Sequence, residues 1–149
     1  MAIALAELLP HRPPMLWLTA LTDCTETSAG ATACFQPGDL AVADGAVLET
    51  ALVECVAQTA AAAMGSRAAG KPSPSAAAGP AGQGMLVAVS GFKIESRPPA
   101  GSELRIEIRE VKRLGGMLRI AGSIRCEDRL IASGELSVHL EAGAHARSA

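Results

Sequence analysis

The sequence predicts one α+β domain in which an antiparallel sheet wraps around a single long central helix. Three observations support this prediction. Residues 46–64 contain neither glycine nor proline and carry apolar side chains at helical spacing. The C-terminal half contains four segments in which apolar and polar residues alternate, typical of a sheet with one solvated face. The length of 149 residues fits one domain rather than two.

The N-terminal part predicts short elements. Residues 3–9 are expected to form a helical turn that Pro10 closes. Residues 16–22 and 30–35 are short and rich in β-forming or small apolar side chains, which favours strands. The sequence QPGD at residues 36–39 is typical of a loop.

The central helix is expected between Asp44, a plausible N-cap, and Gly65, a plausible C-terminal stop. An alanine run at residues 60–63 would let another backbone approach the helix closely. One apolar stripe follows the spacing of three and four residues: Val47, Leu48, Ala51, Leu52, Cys55, Val56 and Thr59.

The remaining strands are predicted from alternation with a period of two residues. They are residues 85–94, 103–111, 117–126 and 130–140. The connections at 114–116 and 127–128 are short enough for hairpins. With one helix available to cover the apolar face, the sheet is expected to curl around that helix.

The predicted domain covers residues 1–142, followed by a disordered tail at 143–149. Residues 66–84 are rich in Gly, Pro, Ser and Ala and predict a flexible loop, either a plain linker or a functional lid.

Composition excludes several classes of function. One tryptophan, two phenylalanines and no tyrosine make a poor stacking platform for nucleic-acid bases. The net charge is −2 and no Lys/Arg block tracks a phosphate backbone, so we expect no nucleic-acid partner. The N-terminus lacks a basic region and carries Glu7, and no apolar run reaches 18 residues, which predicts a cytoplasmic protein without membrane insertion.

The cysteines predict neither a disulfide framework nor a metal site. Cys24, Cys34, Cys55 and Cys126 form no CxxC pair, and no histidine lies at a zinc-ligand spacing from them. We therefore expect free, buried thiols, with no metal and no cofactor.

Two polar residues interrupt the apolar helix, Glu54 and Gln58, and their spacing of four places them on one face. A partly desolvated carboxyl at Glu54 would suit general acid–base chemistry. The alternative is a surface glutamate that simply hydrogen-bonds Gln58.

A second candidate is the proline-rich stretch that holds His11 and Arg12 between Pro10 and Pro13-Pro14. Prolines restrict the backbone, so this segment could position an imidazole well. The alternative is a structural, hydrogen-bonded His11. His139, near a strand end, and His145, in the tail, have no catalytic setting.

These two candidates coincide with family motifs. Residues 8–18, LLPHRPPMLWL, resemble the opening motif of the β-hydroxyacyl-[acyl-carrier-protein] dehydratases of the hotdog superfamily. Residues 54–58, ECVAQ, resemble the Glu-x-x-Ala-Gln of their central helix. The order of elements is similar over about residues 5–141, and the Pro13-Pro14-Met15 form is most similar to the branch from aryl-polyene and related lipid clusters.

The resemblance implies a hotdog fold, usually a homodimer whose sheets join edge to edge. It implies a substrate that is an acyl thioester of acyl carrier protein or coenzyme A, and loss of water from a 3-hydroxyacyl chain. In that family a histidine takes the C2 proton, a helix carboxylate helps the hydroxyl to leave, and amides at the helix start hold the thioester carbonyl. Glu54 matches the carboxylate and Gln58 its supporting glutamine.

The sequence departs from the family at the histidine. The family places it about 14 residues before the glutamate, in His-Phe-Pro-Gly, where this chain has Leu40. No histidine lies between residues 12 and 138, and Leu48-Glu49 replaces the family's Pro-Gly at the helix start.

We therefore predict Glu54 and His11 as catalytic residues, and Gln58, Arg12, Leu48 and Gly45 as substrate-binding residues. Three functions remain open at this point: a dehydratase, a non-enzymatic subunit that binds an acyl chain or pairs with an active paralogue in a heterodimer, and a hotdog thioesterase in which Glu54 activates water.

Overall fold

A computed structural model describes residues 4–69 and 84–140 of the chain. Its elements, in chain order, are α1 (Leu5–Leu8), β1 (Leu18–Cys24), β2 (Ser28–Cys34), β3 (Val42–Ala43), β4 (Ala46–Val47), α2 (Glu49–Ala69), β5 (Gly84–Ile94), β6 (Glu103–Leu114), β7 (Met117–Cys126) and β8 (Arg129–Leu140).

The predicted architecture is confirmed. Six strands form one sheet in the order β1-β2-β6-β7-β8-β5, and every neighbouring pair is antiparallel. Helix α2 contacts β1, β2, β5, β6 and β7, so it lies across the apolar face of this sheet. Strands β3 and β4 form a separate two-stranded hairpin directly before α2. In the described part of the chain, no helix is long and apolar enough to cross a membrane.

The core lies between the sheet and α2. Along β6, Leu104, Ile106 and Ile108 are buried while the charged residues between them are exposed, as the alternation predicts. On the helix side, Leu52 and Val56 are fully buried. Burying such side chains contributes about 1.5–3 kcal/mol each relative to exposure, so this interface holds helix and sheet together.

The prediction for the helix start is wrong. Asp44 does not cap α2, because it occupies the turn of the β3–β4 hairpin (residues 42–47) together with Gly45. Their φ values are 54° and 76°, and two consecutive positive φ angles are what a two-residue hairpin turn requires. The helix begins at Glu49, after the hairpin closes.

The prediction for the helix end is also wrong, because α2 continues through Gly65 to Ala69. A β-carbon at position 65 would lie 2.8 Å from the carbonyl oxygen of Leu8, so this glycine allows α1 to pack closely against the helix. The first four residues of the predicted 66–84 loop are therefore helical, and residue 84 begins β5. Residues 70–83 and the predicted tail at 143–149 lie outside the described residues.

Candidate functional site

Helix α2 places Glu54 and Gln58 one turn apart, on a side that the sheet does not cover. The Gln58 side chain is buried, whereas one third of the Glu54 side chain remains exposed. The segment between α1 and β1 crosses this side of the helix and brings His11, Met15 and Trp17 to it.

Gln58 connects the helix to that segment through both ends of its amide. Its Oε1 accepts a hydrogen bond from the Trp17 backbone amide at 3.0 Å. Its Nε2 donates to the Met15 carbonyl at 2.8 Å and to Glu54 Oε1 at 3.2 Å. Because every polar atom of this buried amide has a partner, Gln58 orients the Glu54 carboxylate and holds the proline-rich segment in place.

His11 meets Glu54 directly. The distance from His11 Nε2 to Glu54 Oε1 is 3.4 Å, and 29% of the histidine side chain is exposed against 33% of the glutamate. The other ring nitrogen, Nδ1, is buried and has no hydrogen-bond partner among the described residues. The ring therefore has one nitrogen, Nε2, beside the carboxylate and one, Nδ1, that makes no hydrogen bond to the described residues.

Arg12 stabilises the segment that carries His11. Its Nη1 donates to the carbonyls of Leu9 and His11, both at 2.8 Å, although the side chain is exposed. The carbonyl of Arg12 in turn accepts from the amides of Met15 and Leu16. These contacts are structural, and the predicted contact of Arg12 with substrate stays a prediction.

Leu48 and Gly45 lie at the N-terminal end of α2. The Leu48 amide already donates to the Ala41 carbonyl at 2.7 Å, so this N–H group is not free to hold a thioester carbonyl. The next two amides, of Glu49 and Thr50, have no acceptor among the described groups, as is usual for the first N–H groups of a helix. Gly45 is exposed in the hairpin turn.

The family position of the missing histidine is a surface loop. Leu40 there is 67% exposed, within a loop in which the Gln36 amide donates to Asp39 Oδ2 at 2.8 Å. A leucine can neither accept nor donate a proton, so position 40 supplies no acid–base group.

The cysteines contribute no nucleophile to the site. Cys55, next to Glu54 in sequence, points into the core, and burial, with a smaller effect from the Glu54 charge, raises the pKa of its thiol to about 12. All four thiols are free, but only Cys55 is fully buried, so the expectation that all would be buried is wrong for Cys24, Cys34 and Cys126. Within residues 4–69 and 84–140, no cluster of three or more His, Cys, Asp or Glu side chains could hold a metal ion.

The sequence does not predict that Gln58 binds the Trp17 amide and the Met15 carbonyl, because these backbone groups are present in almost every residue. Their only sequence signal is the proline-rich composition of residues 10–14, which keeps the following backbone extended.

Solved structures with this fold include several proteins that process or bind thioesters. The chain is similar to the dehydratase heterocomplex ApeI:P from Xenorhabdus doucetiae, with a TM-score of 0.79 and 20% identity over 96% of this chain and 94% of that one. It is similar to a hypothetical thioesterase with coenzyme A from Streptococcus pneumoniae (TM-score 0.64, 10% identity, covering 82% and 87%). Thioesterase superfamily member 2 of Mus musculus has a TM-score of 0.62 and 14% identity, covering 82% and 81%.

At identities of 20% or less, these structures show that the chain has a hotdog fold, and they do not show its activity. No curated protein matches the sequence. A family model described as ApeP dehydratase, however, matches residues 3–146. Because this match spans nearly the whole sequence, the chain belongs to the ApeP-like dehydratase family.

Proposed function

We propose that the protein is a hydro-lyase that removes water from a 3-hydroxyacyl thioester, carried by acyl carrier protein or coenzyme A, in fatty-acid- or polyene-type biosynthesis. One observation carries the proposal: His11 Nε2 lies 3.4 Å from Glu54 Oε1, on the helix face that Gln58 organises. Membership of the ApeP-like family supports the reaction class. A related structure that contains coenzyme A supports the thioester class.

In the proposed reaction, His11 Nε2 accepts the C2 proton, and the electrons of the C2–H bond form the C2–C3 double bond. The C3–O bond breaks, and the hydroxyl takes a proton from the Glu54 carboxyl and leaves as water. His11 then carries one proton too many and Glu54 one too few. Transfer from Nε2 to Oε1 across their 3.4 Å contact restores both groups, so the pair needs no other proton donor.

The thioester oxygen becomes more negative as C2 loses its proton. In the proposal, it binds at the start of α2, where the amides of Glu49 and Thr50 and the positive end of the helix dipole stabilise that charge. Glu54 lies about 9 Å further along the helix than Leu48, at a rise of about 1.5 Å per residue.

The test uses purified protein with 3-hydroxyacyl thioesters of both carriers and mass spectrometry of the products. We expect the enoyl thioester, and we expect Glu54→Gln and His11→Ala to lower turnover roughly 10²- to 10⁴-fold with the fold intact. Matched controls are Glu103→Gln on β6 and His139→Ala on β8, both at exposed positions. Full activity of Glu54→Gln would refute the site. Free acid in place of the enoyl product would identify a thioesterase.

A second candidate function is favoured by Leu40. Because the family position of the histidine carries an exposed leucine, this chain could act as the partner subunit of a hotdog paralogue that has the histidine. Turnover that occurs only when such a paralogue is added, and that survives His11→Ala, would support this candidate against a self-sufficient dehydratase.

We also propose that the chain assembles through β5, either with itself or with a paralogue. This edge strand has one neighbour, β8, and exposes Leu86, Val87 and Val89. An apolar open edge readily accepts another strand. The related ApeI:P structure is a heterocomplex, which supports such an assembly. Val87→Lys should convert the dimer to monomer in light scattering, whereas Val111→Lys, away from this edge, should not.

A further inference from the structure

Arg97 lies in the connection between β5 and β6, and its guanidinium reaches the β3–β4 hairpin. Its Nε donates to the Val47 carbonyl at 2.9 Å. Its Nη2 donates to the carbonyls of Ala43 at 2.7 Å and Ala46 at 3.0 Å. One partly buried side chain therefore binds three backbone oxygens that lie 50 or more residues earlier in the chain.

The backbone beside Arg97 strengthens the same contact. The Val47 amide donates to the Pro98 carbonyl at 2.9 Å, and the Ala100 amide donates to the Gly45 carbonyl at 2.9 Å. The hairpin, an isolated pair of two-residue strands, is too short to be stable alone. Its position relative to the rest of the protein therefore depends on these contacts with the β5–β6 connection, together with the burial of Val47 in the core.

The hairpin leads directly into the functional end of α2. Only Leu48 separates Val47 from Glu49, the first residue of the helix. A movement of the hairpin would therefore move the free amides of Glu49 and Thr50, to which we assign the thioester oxygen.

The chemistry of the contact requires arginine. A guanidinium presents several N–H donors in a fixed plane, so it can bind three carbonyls at once. A lysine ammonium carries the same charge on a flexible stem without that planar arrangement. No carboxylate lies within ion-pair distance of Arg97 among the described residues, so carbonyl oxygens are its partners.

We propose that Arg97 is a positioning residue, which holds the β3–β4 hairpin so that the first amides of α2 stay aligned with the thioester oxygen. This role rests on the proposed function. Arg97 touches neither substrate nor Glu54; it acts through the hairpin. Loss of alignment weakens an interaction that grows as charge develops on the oxygen, so it lowers kcat more than it raises KM.

The test compares Arg97→Gln and Arg97→Lys with Arg105→Gln, an exposed arginine on β6, as the matched control. We expect both Arg97 variants to lower kcat about 10- to 100-fold with KM within about threefold of wild type. We also expect faster amide hydrogen exchange at residues 42–50, with exchange in β7 unchanged. The control should match wild type in all three measurements.

Three outcomes would overturn the role. Wild-type kcat in Arg97→Lys would mean that charge alone is needed, and unchanged exchange at residues 42–50 would mean that the hairpin is not held by Arg97. If neither variant folds by circular dichroism, Arg97 is required for the fold and not for alignment.

A failure of the proposed function can be told apart from a failure of the Arg97 role. In the first case, the wild-type protein itself converts no 3-hydroxyacyl thioester. In that case, the readouts are exchange at residues 42–50 and the affinity for 3-hydroxyoctanoyl-coenzyme A, followed by the fluorescence of the single tryptophan, Trp17. Faster exchange at residues 42–50 in Arg97→Gln, with an affinity within about threefold of wild type, supports positioning of the thioester end. Wild-type exchange there, or a larger loss of affinity, refutes it.

Discussion

The two faces of helix α2 hold their neighbours by different forces. The face toward the sheet buries Leu52, Cys55 and Val56, which contact the core through apolar surface. The other face holds the proline-rich segment through the hydrogen bonds of Gln58 and the contact between Glu54 and His11. Apolar burial is non-directional and tolerates other side chains of similar volume, whereas each hydrogen bond needs a particular donor and acceptor in place.

The largest expected effect concerns the sheet-facing side. Leu52→Ala removes a fully buried side chain and leaves a cavity, so we expect a loss of about 2–5 kcal/mol in the free energy of unfolding, measured with urea. Val53→Ala, at a half-buried neighbouring position, is the control and should lose less than half as much. Equal losses would show that full burial of Leu52 against the sheet adds nothing beyond the partial burial of Val53.

A smaller effect is expected on the polar face. Gln58→Leu keeps a side chain of similar volume but leaves the Trp17 amide and the Met15 carbonyl without their hydrogen-bond partner. The free energy of unfolding should therefore fall by about 1–3 kcal/mol. Amide exchange should rise in residues 10–17 and stay unchanged in β6. Gln36→Leu, at an exposed loop position, serves as the control. Exchange that rises uniformly over the protein would contradict a local effect.

The smallest effect is a pH dependence from Cys55, on the face toward the sheet. Burial raises the pKa of Cys55 to about 12 from 9.0, so above pH 9 the unfolded chain releases this proton while the folded protein keeps it. Stability is then fully present below pH 9 and falls as pH rises toward 12, by about 1 kcal/mol at pH 10. Urea unfolding between pH 8 and 10 should show this decline in wild type. Cys55→Ala should lack that part of the slope, and identical slopes would contradict the prediction.

Much of the fold could be predicted from local patterns. The alternation in β6, β7 and β8 and the three- and four-residue spacing in α2 arise from neighbours in sequence, so they predicted those elements to within a few residues. The β3–β4 hairpin could not be predicted from residues 42–47, because its short apolar strands continue the helical pattern that follows them. Gly65 was mistaken for a helix stop because only the packing of Leu8 explains a glycine inside the helix.

The candidate site divides in the same way. The spacing of Glu54 and Gln58 predicts a shared helix face, and the hydrogen bond between them is present at 3.2 Å. Residue spacing does not show that His11 reaches Glu54, since the two residues belong to separate segments that meet only where the proline-rich stretch crosses the helix. The roles assigned to both residues stay predictions until turnover is measured.

By itself, the sequence determined the long strands of the C-terminal half, the central part of α2 and the shared helix face of Glu54 and Gln58, because periodicity and residue spacing act over one or two helical turns. The tertiary structure alone decided which backbone groups Gln58 and Arg97 bind. Those contacts join residues 41 to 54 positions apart, and in each of them the partner of the side chain is a peptide group, which every residue carries. Their meeting depends on how the helix, the sheet and the connections pack, not on any local pattern.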